Sequence, residues 1–327
     1  MITETIKKFV GRLFAPAPRG PQRIARDKHG IDRRNVSRHA IKVCEVLRQH
    51  GYEAYIVGGA VRDLIVGLEP KDFDVATNAT PEQIRPLFRR ARIIGRRFQL
   101  VHVVFGQEII ETSTFRAPAS EDQETDEHGR ILRDNVFGTQ EEDAKRRDFT
   151  MNALYYDPHT EEVIDYHNGV ADLKKRQIRI IGDPARRYRE DPVRMLRAVR
   201  FAAKLDFEIE KHSAAPIRKL APLLREIPSA RLFDEVLKLF LSGRGERTFE
   251  LLLEYELFAP LFPASAKALA RDPEYTGKLI RQALVAPRKR IPTRPTLGSQ
   301  RRRLAAKTQR GEVKAGRTRI RGAEGGE

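Results

Sequence analysis

Tyr55-Ile-Val-Gly-Gly-Ala-Val-Arg-Asp-Leu-Ile-Val-Gly-Leu-Glu-Pro-Lys-Asp-Phe-Asp-Val-Ala-Thr77 reads as a strand, a Gly58-Gly59 turn, a short helix and a second strand. The second strand carries Asp72 and Asp74, and side chains alternate faces along a strand, so both acids point the same way. Two carboxylates on one face repel unless a cation lies between them. A hard, oxygen-seeking ion such as Mg²⁺ suits that place. The glycine pair lets backbone N–H groups approach an anion at the start of the helix. Arg62, one turn in, can reach phosphate oxygens with its guanidinium fork. A nucleoside triphosphate held on metal ions is the expected occupant. Glu111 is a candidate third acid on a neighbouring strand, although an ordinary exposed strand acid would look the same.

Around this stretch the pattern is α+β, an α/β head followed by helices. Upstream, residues 15–37 are rich in Pro, Gly and Arg, and 1–37 reads as a flexible basic arm. Ser37 caps a helix that runs to about Gln49, ahead of Gly51. Downstream, Thr80-Pro81-Glu82-Gln83 opens a helix expected to reach Arg90. β-rich runs follow at 91–94, 100–105 and 109–115, with Gly106-Gln107 turning a hairpin. Residues 117–131 are polar and acidic and read as a loop. A helix is expected over 139–154, a hairpin over 155–166 and a strand over 178–181. Helices should then follow at 192–205, 213–226, 229–242, 246–255 and 274–285. The head thus covers 38–182 and a helical neck and body 183–285. From Ala286 no apolar period survives, and 286–327 is expected to be a disordered basic tail.

The chain is 40% hydrophobic, enough for packed cores in 327 residues. Its formal net charge is +17. From Ala286 to Glu327 thirteen Lys/Arg stand against three Asp/Glu, a surplus of ten, which leaves seven for the rest. A basic body with a more basic tail favours a polyanionic partner such as nucleic acid, although the same charge also serves solubility. A single cysteine, Cys44, excludes an intrachain disulfide framework and a cysteine zinc cluster. No run approaches the ~18 apolar residues of a membrane span. The first fourteen residues lack a signal-peptide core, so a cytoplasmic protein is expected.

Three further motifs carry chemistry. Arg146-Arg147-Asp148-Phe-Thr-Met-Asn152 places Asp148 and Asn152 four apart on one helical face, suited to a ribose hydroxyl. Asp148 as a plain helix-start acid is the simpler alternative. In Glu190-Asp191-Pro192-Val-Arg194-Met-Leu-Arg197-Ala-Val-Arg200-Phe201, Asp191 and Pro192 make a helix cap. Arg194, Arg197 and Arg200 form a cationic stripe, and an Asp–Arg pair at the helix start can also present donors and acceptors to a base edge. Gly95-Arg96-Arg97-Phe98 followed by His102 offers stacking and phosphate contacts; a lone strand histidine is more often structural.

With these residues in view, the chain resembles the class II template-independent nucleotidyltransferases, which join tRNA CCA-adding enzymes and bacterial poly(A) polymerases on a polymerase-β-type head. The resemblance is carried by Gly58-Gly-Ala-Val-Arg-Asp63, Lys71-Asp-Phe-Asp-Val75, Arg146-Arg-Asp-Phe-Thr150 and Glu190-Asp-Pro-Val-Arg194 through Phe201. It covers about residues 27–285. Ile94-Gly-Arg-Arg-Phe-Gln-Leu-Val-His-Val103 and Leu132-Arg-Asp-Asn-Val-Phe-Gly138 resemble the poly(A) polymerase branch more than the CCA-adding one.

The resemblance implies that Asp72 and Asp74 hold two Mg²⁺ ions, with Glu111 a further candidate ligand. It implies that Gly58, Gly59 and Arg62 bind the triphosphate of ATP. Asp148 belongs to the active-site set with Arg147 and Asn152. Asp191 and Arg194 pair with the adenine edge, supported by Arg197 and Arg200. By the same resemblance the partner is expected to be an RNA 3′ end and the protein a monomer. CCA addition to tRNA is the alternative activity. Such enzymes continue as helices past the point where the pattern fails here, so a shortened body and a non-catalytic RNA-binding remnant are also weighed.

Overall fold

The strand that enters the glycine turn, β2 (Ala54–Val57), lies inside a mixed sheet. The computed structural model describes residues 20–95, 99–117, 136–241, 243–284 and 304–310. The other strands of the sheet are β1 (Gln22–Ile24), β3 (Asp74–Thr77), β4 (Ala91–Ile94), β5 (Leu100–Phe105), β6 (Glu108–Thr114), β7 (Leu154–Asp157) and β8 (Glu162–Asp165), in the order β1-β8-β7-β2-β3-β6-β5-β4. All neighbours are antiparallel except β3 and β6, whose parallel register sets Asp74 beside Glu111.

Every residue of β2 is buried because both faces of the sheet are covered there. Ala54 and Ile56 pack into the main core with Ala40, Val43, Cys44 and Leu47 of the helix Arg38–Gln49. Tyr55 and Val57 face a second, aromatic cluster with Phe115 and Tyr155. Ser37 caps the Arg38–Gln49 helix by accepting from His39 N and Ala40 N, and Thr80 with Gln83 forms the expected capping box.

Several expectations are corrected. Part of the arm is structured. β1 pairs with β8, His29 is buried with Nε2 2.9 Å from Glu161 O, and Ile31 and Val36 enter the main core. Residues 1–19 lie outside the described residues, as do 96–98 and 118–135, where the Arg-Arg-Phe motif and most of the acidic loop fall. The helix opened by Pro81 ends at Ile84 and tightens into a 3₁₀ turn, Arg85–Leu87, because Pro86 has no N–H to continue it. Asp72 precedes the strand, which begins at Asp74.

The helix expected over 139–154 stops at Arg146. Phe149 is extended and bridges Ile180 instead, before a 3₁₀ turn at Thr150–Asn152. Beyond it, the helix Val193–Leu205 leads into helices Ser229–Phe240, Gly245–Glu254 and Pro273–Leu284, close to expectation. The stretch 213–226 is broken where Pro216 and Pro222 stand. Helices at Gly169–Lys174, Pro184–Glu190, Phe258–Leu261 and Pro263–Arg271 were not foreseen.

Residues Met1–Val285 form one compact unit and Ala286–Glu327 another. In the second, residues 304–310 are helical where no structure was expected, consistent with the helix-forming Leu-Ala-Ala-Lys run there; the rest lies outside the described residues.

Candidate active site

Asp74 opens β3 beside Glu111 of β6. Burial, first, and then the Glu111 carboxylate push its carboxyl up to about 6; Asp72 adds to this and the Arg147 guanidinium opposes it. Asp72 is exposed, Phe73 buried and Asp74 half-buried, so the alternation expected of the two acids survives even though the strand starts between them. Glu111 turns its carboxylate toward His102 Nε2, 3.4 Å away across β5 and β6.

The donor set at this corner is carboxylate oxygen, with Glu111 and Asp72 both pressing on Asp74. That fits a hard divalent cation and no soft one. Asp72 and Asp74 are the residues that would hold it. Among the described residues, no group of three or more acid, histidine or cysteine side chains is gathered into a ready metal cage.

The turn after β2 requires glycine. Gly58 has φ 71° and ψ −129°, and its N–H donates to Leu154 O at 3.2 Å. A Cβ there would stand 3.3 Å from Arg147 Nη1. Arg147 therefore borders the turn at Gly58, as Arg62 does at Gly59. Arg62, expected to reach phosphate, is turned inward. Its Nε donates to Asp63 Oδ1 at 2.8 Å and its Nη1 to Asn152 Oδ1 at 2.7 Å. Its side chain is 5% exposed and its guanidinium lies 5.0 Å from the centre of the Phe201 ring. These partners engage one N–H on each nitrogen, and Nη2 stands 3.5 Å from where a Cβ at Gly59 would lie, so the paired guanidinium still borders the glycine turn.

Asp148 and Asn152 meet without sharing a helix: Asn152 Nδ2 donates to Asp148 Oδ1 at 3.1 Å. The same oxygen accepts from Phe149 N at 2.8 Å, and Oδ2 accepts from Arg197 Nε at 2.7 Å. Burial works to raise this carboxyl, but Arg197, Asn152 and the backbone N–H overcome it and hold it below the usual range.

The helix Val193–Leu205 thus meets this segment through Arg197 and, two turns on, meets Asp63 through Lys204 Nζ at 3.1 Å. Between them, Arg200 lies 3.8 Å from Glu235. Burial and then Arg197 lower its affinity for a proton. Arg194 donates to Arg187 O at 2.8 Å and to Glu190 Oε2 at 3.1 Å. Asp191 accepts from Val193 N at 3.2 Å and from Arg231 Nη2 at 2.8 Å. The cation stripe is real, but each guanidinium already has an acid.

Sequence reasoning missed Asp63, Lys204, Arg187 and Glu235, which hold the expected residues in place. It also missed Asp143 and Tyr155, buried around Arg147. Asp143 could have been found, since it lies four before Arg147 on a helix. Tyr155 carried no local signal.

A family model for the poly A polymerase head domain matches residues 54–179. A second, described as the probable RNA- and SrmB-binding site of polymerase A, matches residues 206–269. The poly(A) polymerase I of Haemophilus influenzae is 53% identical over 268 residues, which is 80% of this chain and 59% of that one. The chain belongs to the poly(A) polymerase and tRNA nucleotidyltransferase family. Within this family, the CCA-adding enzyme of Lactobacillus helveticus is 38% identical over 67% of this chain and 53% of its own length. The CTP complex of the Bacillus stearothermophilus CCA-adding enzyme matches with a TM-score of 0.58 at 37% identity, over 68% of this chain and 52% of that one. The head is thus a nucleotidyltransferase head of the polymerase-β type. The chain spans between a half and three fifths of these curated relatives' length.

Proposed function

We propose that the chain transfers AMP from ATP to RNA 3′ ends without a template. The observation that carries this reading is the higher identity to a poly(A) polymerase than to a CCA-adding enzyme. The RNA 3′-oxygen would attack the α-phosphorus of ATP, the α–β bridging bond would break, and pyrophosphate would leave while the hydroxyl proton is lost. Two Mg²⁺ ions at Asp72 and Asp74 would, when bound, offset triphosphate charge and favour the ionised hydroxyl.

The chain's own residues supply the rest. The bare Gly58-Gly59 turn leaves room for the triphosphate, and Arg147 presents positive charge beside it. Arg62 and Asn152 hold Asp148 toward the sugar. Asp191 and Arg194 offer an acceptor and a donor to the adenine edge, with Arg197 and Arg200 behind them. The head would cover 38–182 and the RNA-contacting neck and body 183–285, in a cytoplasmic monomer. Among the described residues no helix is long and apolar enough to cross a membrane.

Addition of C and A to tRNA is the second reading, supported by the match to the CTP-bound enzyme. A non-catalytic RNA-binding protein is the third, supported by the match of residues 206–269 to a probable RNA- and SrmB-binding site. Incubating the chain with an RNA primer, Mg²⁺ and each nucleotide alone separates them. The first reading expects extension with ATP that Asp72→Ala abolishes. Incorporation of CTP ahead of ATP on end-trimmed tRNA would overturn it in favour of the second. RNA binding without extension by the unmutated chain would favour the third.

A further inference from the structure

Arg147 is held by a buried arrangement that neither the motif nor the reaction requires. Asp143 Oδ2 accepts from Arg147 Nε at 3.1 Å and Nη2 at 3.0 Å. Tyr155 donates its hydroxyl to the same oxygen at 2.7 Å and accepts from Arg147 Nε at 3.1 Å. The guanidinium lies 5.3 Å from the centre of the Tyr155 ring. Burial would raise the Asp143 carboxyl, but Arg147 and the Tyr155 hydroxyl hold it below the usual range.

One edge of the guanidinium is left outside this grip. Among the described residues Nη1 reaches only Asn152 O, at 3.3 Å, and it faces Gly58 where a Cβ would crowd it. A buried ion pair is weak evidence of stabilisation by itself, because an apolar pair of similar volume would serve the fold as well. An arrangement that fixes two nitrogens and aims the third at a turn without side chains does something an apolar pair cannot.

We propose that Asp143 and Tyr155 are positioning residues that seat Arg147 against the Gly58 turn, so that its Nη1 edge meets the triphosphate of the incoming nucleotide. This rests on the nucleotidyl-transfer reading above. The two residues act through Arg147 and touch no substrate themselves.

The test is steady-state AMP incorporation by the full chain, with ATP varied at saturating primer and then the reverse. Tyr155→Phe keeps the ring and removes one hydroxyl; it should raise KM for ATP about 5–10-fold with kcat within about twofold and KM for RNA unchanged. Asp143→Asn should raise it further, to about 100-fold, and should add nothing to Arg147→Lys in the double variant. An unchanged KM for ATP in Tyr155→Phe, or losses that multiply in the double variant, would overturn the proposal. Should Asp143→Asn fail to fold, Tyr155→Phe decides alone. An unmutated chain that neither binds ATP nor extends a primer overturns the underlying reading too, and is distinguishable because it fails before any substitution.

Discussion

Arg197 Nε lies 2.7 Å from Asp148 Oδ2, joining the middle of the helix Val193–Leu205 to the segment after Arg146. The pair is partly buried, with side chains 32% and 13% exposed. Removing one partner strands the other. Asp148→Ala should therefore destabilise the fold by about 3 kcal/mol, and Arg197→Ala by somewhat less. Denaturant melts of the two single variants and the double should give a coupling well above the ~0.5 kcal/mol scatter of independent sites. Additive losses would mean that the contact contributes no coupling.

Asp74 should cost the metal-free protein stability at neutral pH. A carboxyl whose folded pKa, about 6, lies above the ordinary 3.8 favours folding when protonated. That contribution is whole below 3.8 and lost as the pH rises through about 6. At pH 7.5 with a chelator present, Asp74→Asn should be more stable than the parent by on the order of 1–2 kcal/mol. Added Mg²⁺ should raise the melting temperature of the parent and leave the variant unmoved; equal shifts in both would remove Asp74 from the ligand set.

Two glycines should fail differently. Gly58→Ala places a side chain at φ 71° and 3.3 Å from Arg147 Nη1, so it should cost about 1–3 kcal/mol and weaken ATP binding. Gly169→Ala drives a Cβ into Thr150 O, a clash with backbone that cannot give way. It should cost more than about 3 kcal/mol and yield mostly insoluble chain. Comparing soluble yield and ATP affinity distinguishes the local fault from the global one.

Nucleotide choice should move with Asp191 and Arg194. Arg194 is poised by Glu190 and Arg187 O, and Asp191 by Arg231. Arg194→Ala should lower the ATP-over-CTP ratio of kcat/KM by roughly tenfold or more, since a site that loses its donor stops rejecting the wrong edge. A uniform loss for both nucleotides would make Arg194 a structural residue.

Local chemistry was readable wherever partners lie close in sequence. Ser37, the Thr80 box, the Gly58 turn and the alternation around Phe73 needed only a few residues of context. What was unreadable depended on distant partners. Residues 22–24 look like loop until β8 offers an edge, and nothing near Arg62 in sequence announces that Asn152 will hold it. The helix imagined through Asp148 fails because Phe149 bridges Ile180 instead. Tyr155 reads as an ordinary strand aromatic, and only its packing against Asp143 makes it part of the site.

The Gly58 N–H finds its acceptor at Leu154, β2 pairs with β7, and Gln22 Nε2 reaches Asn168 Oδ1 across 146 residues of sequence. Such pairings carry a large loop-closure entropy and make for slow folding. On the ribosome, a nascent chain already contains Gly58, Asp72 and Asp74 long before β7 and β8 emerge. Until then β2 has β3 on one side alone, and its other edge is open to other chains. The chain's first vulnerable interval therefore falls during synthesis, between the emergence of its acids and the arrival of the strand that completes their turn.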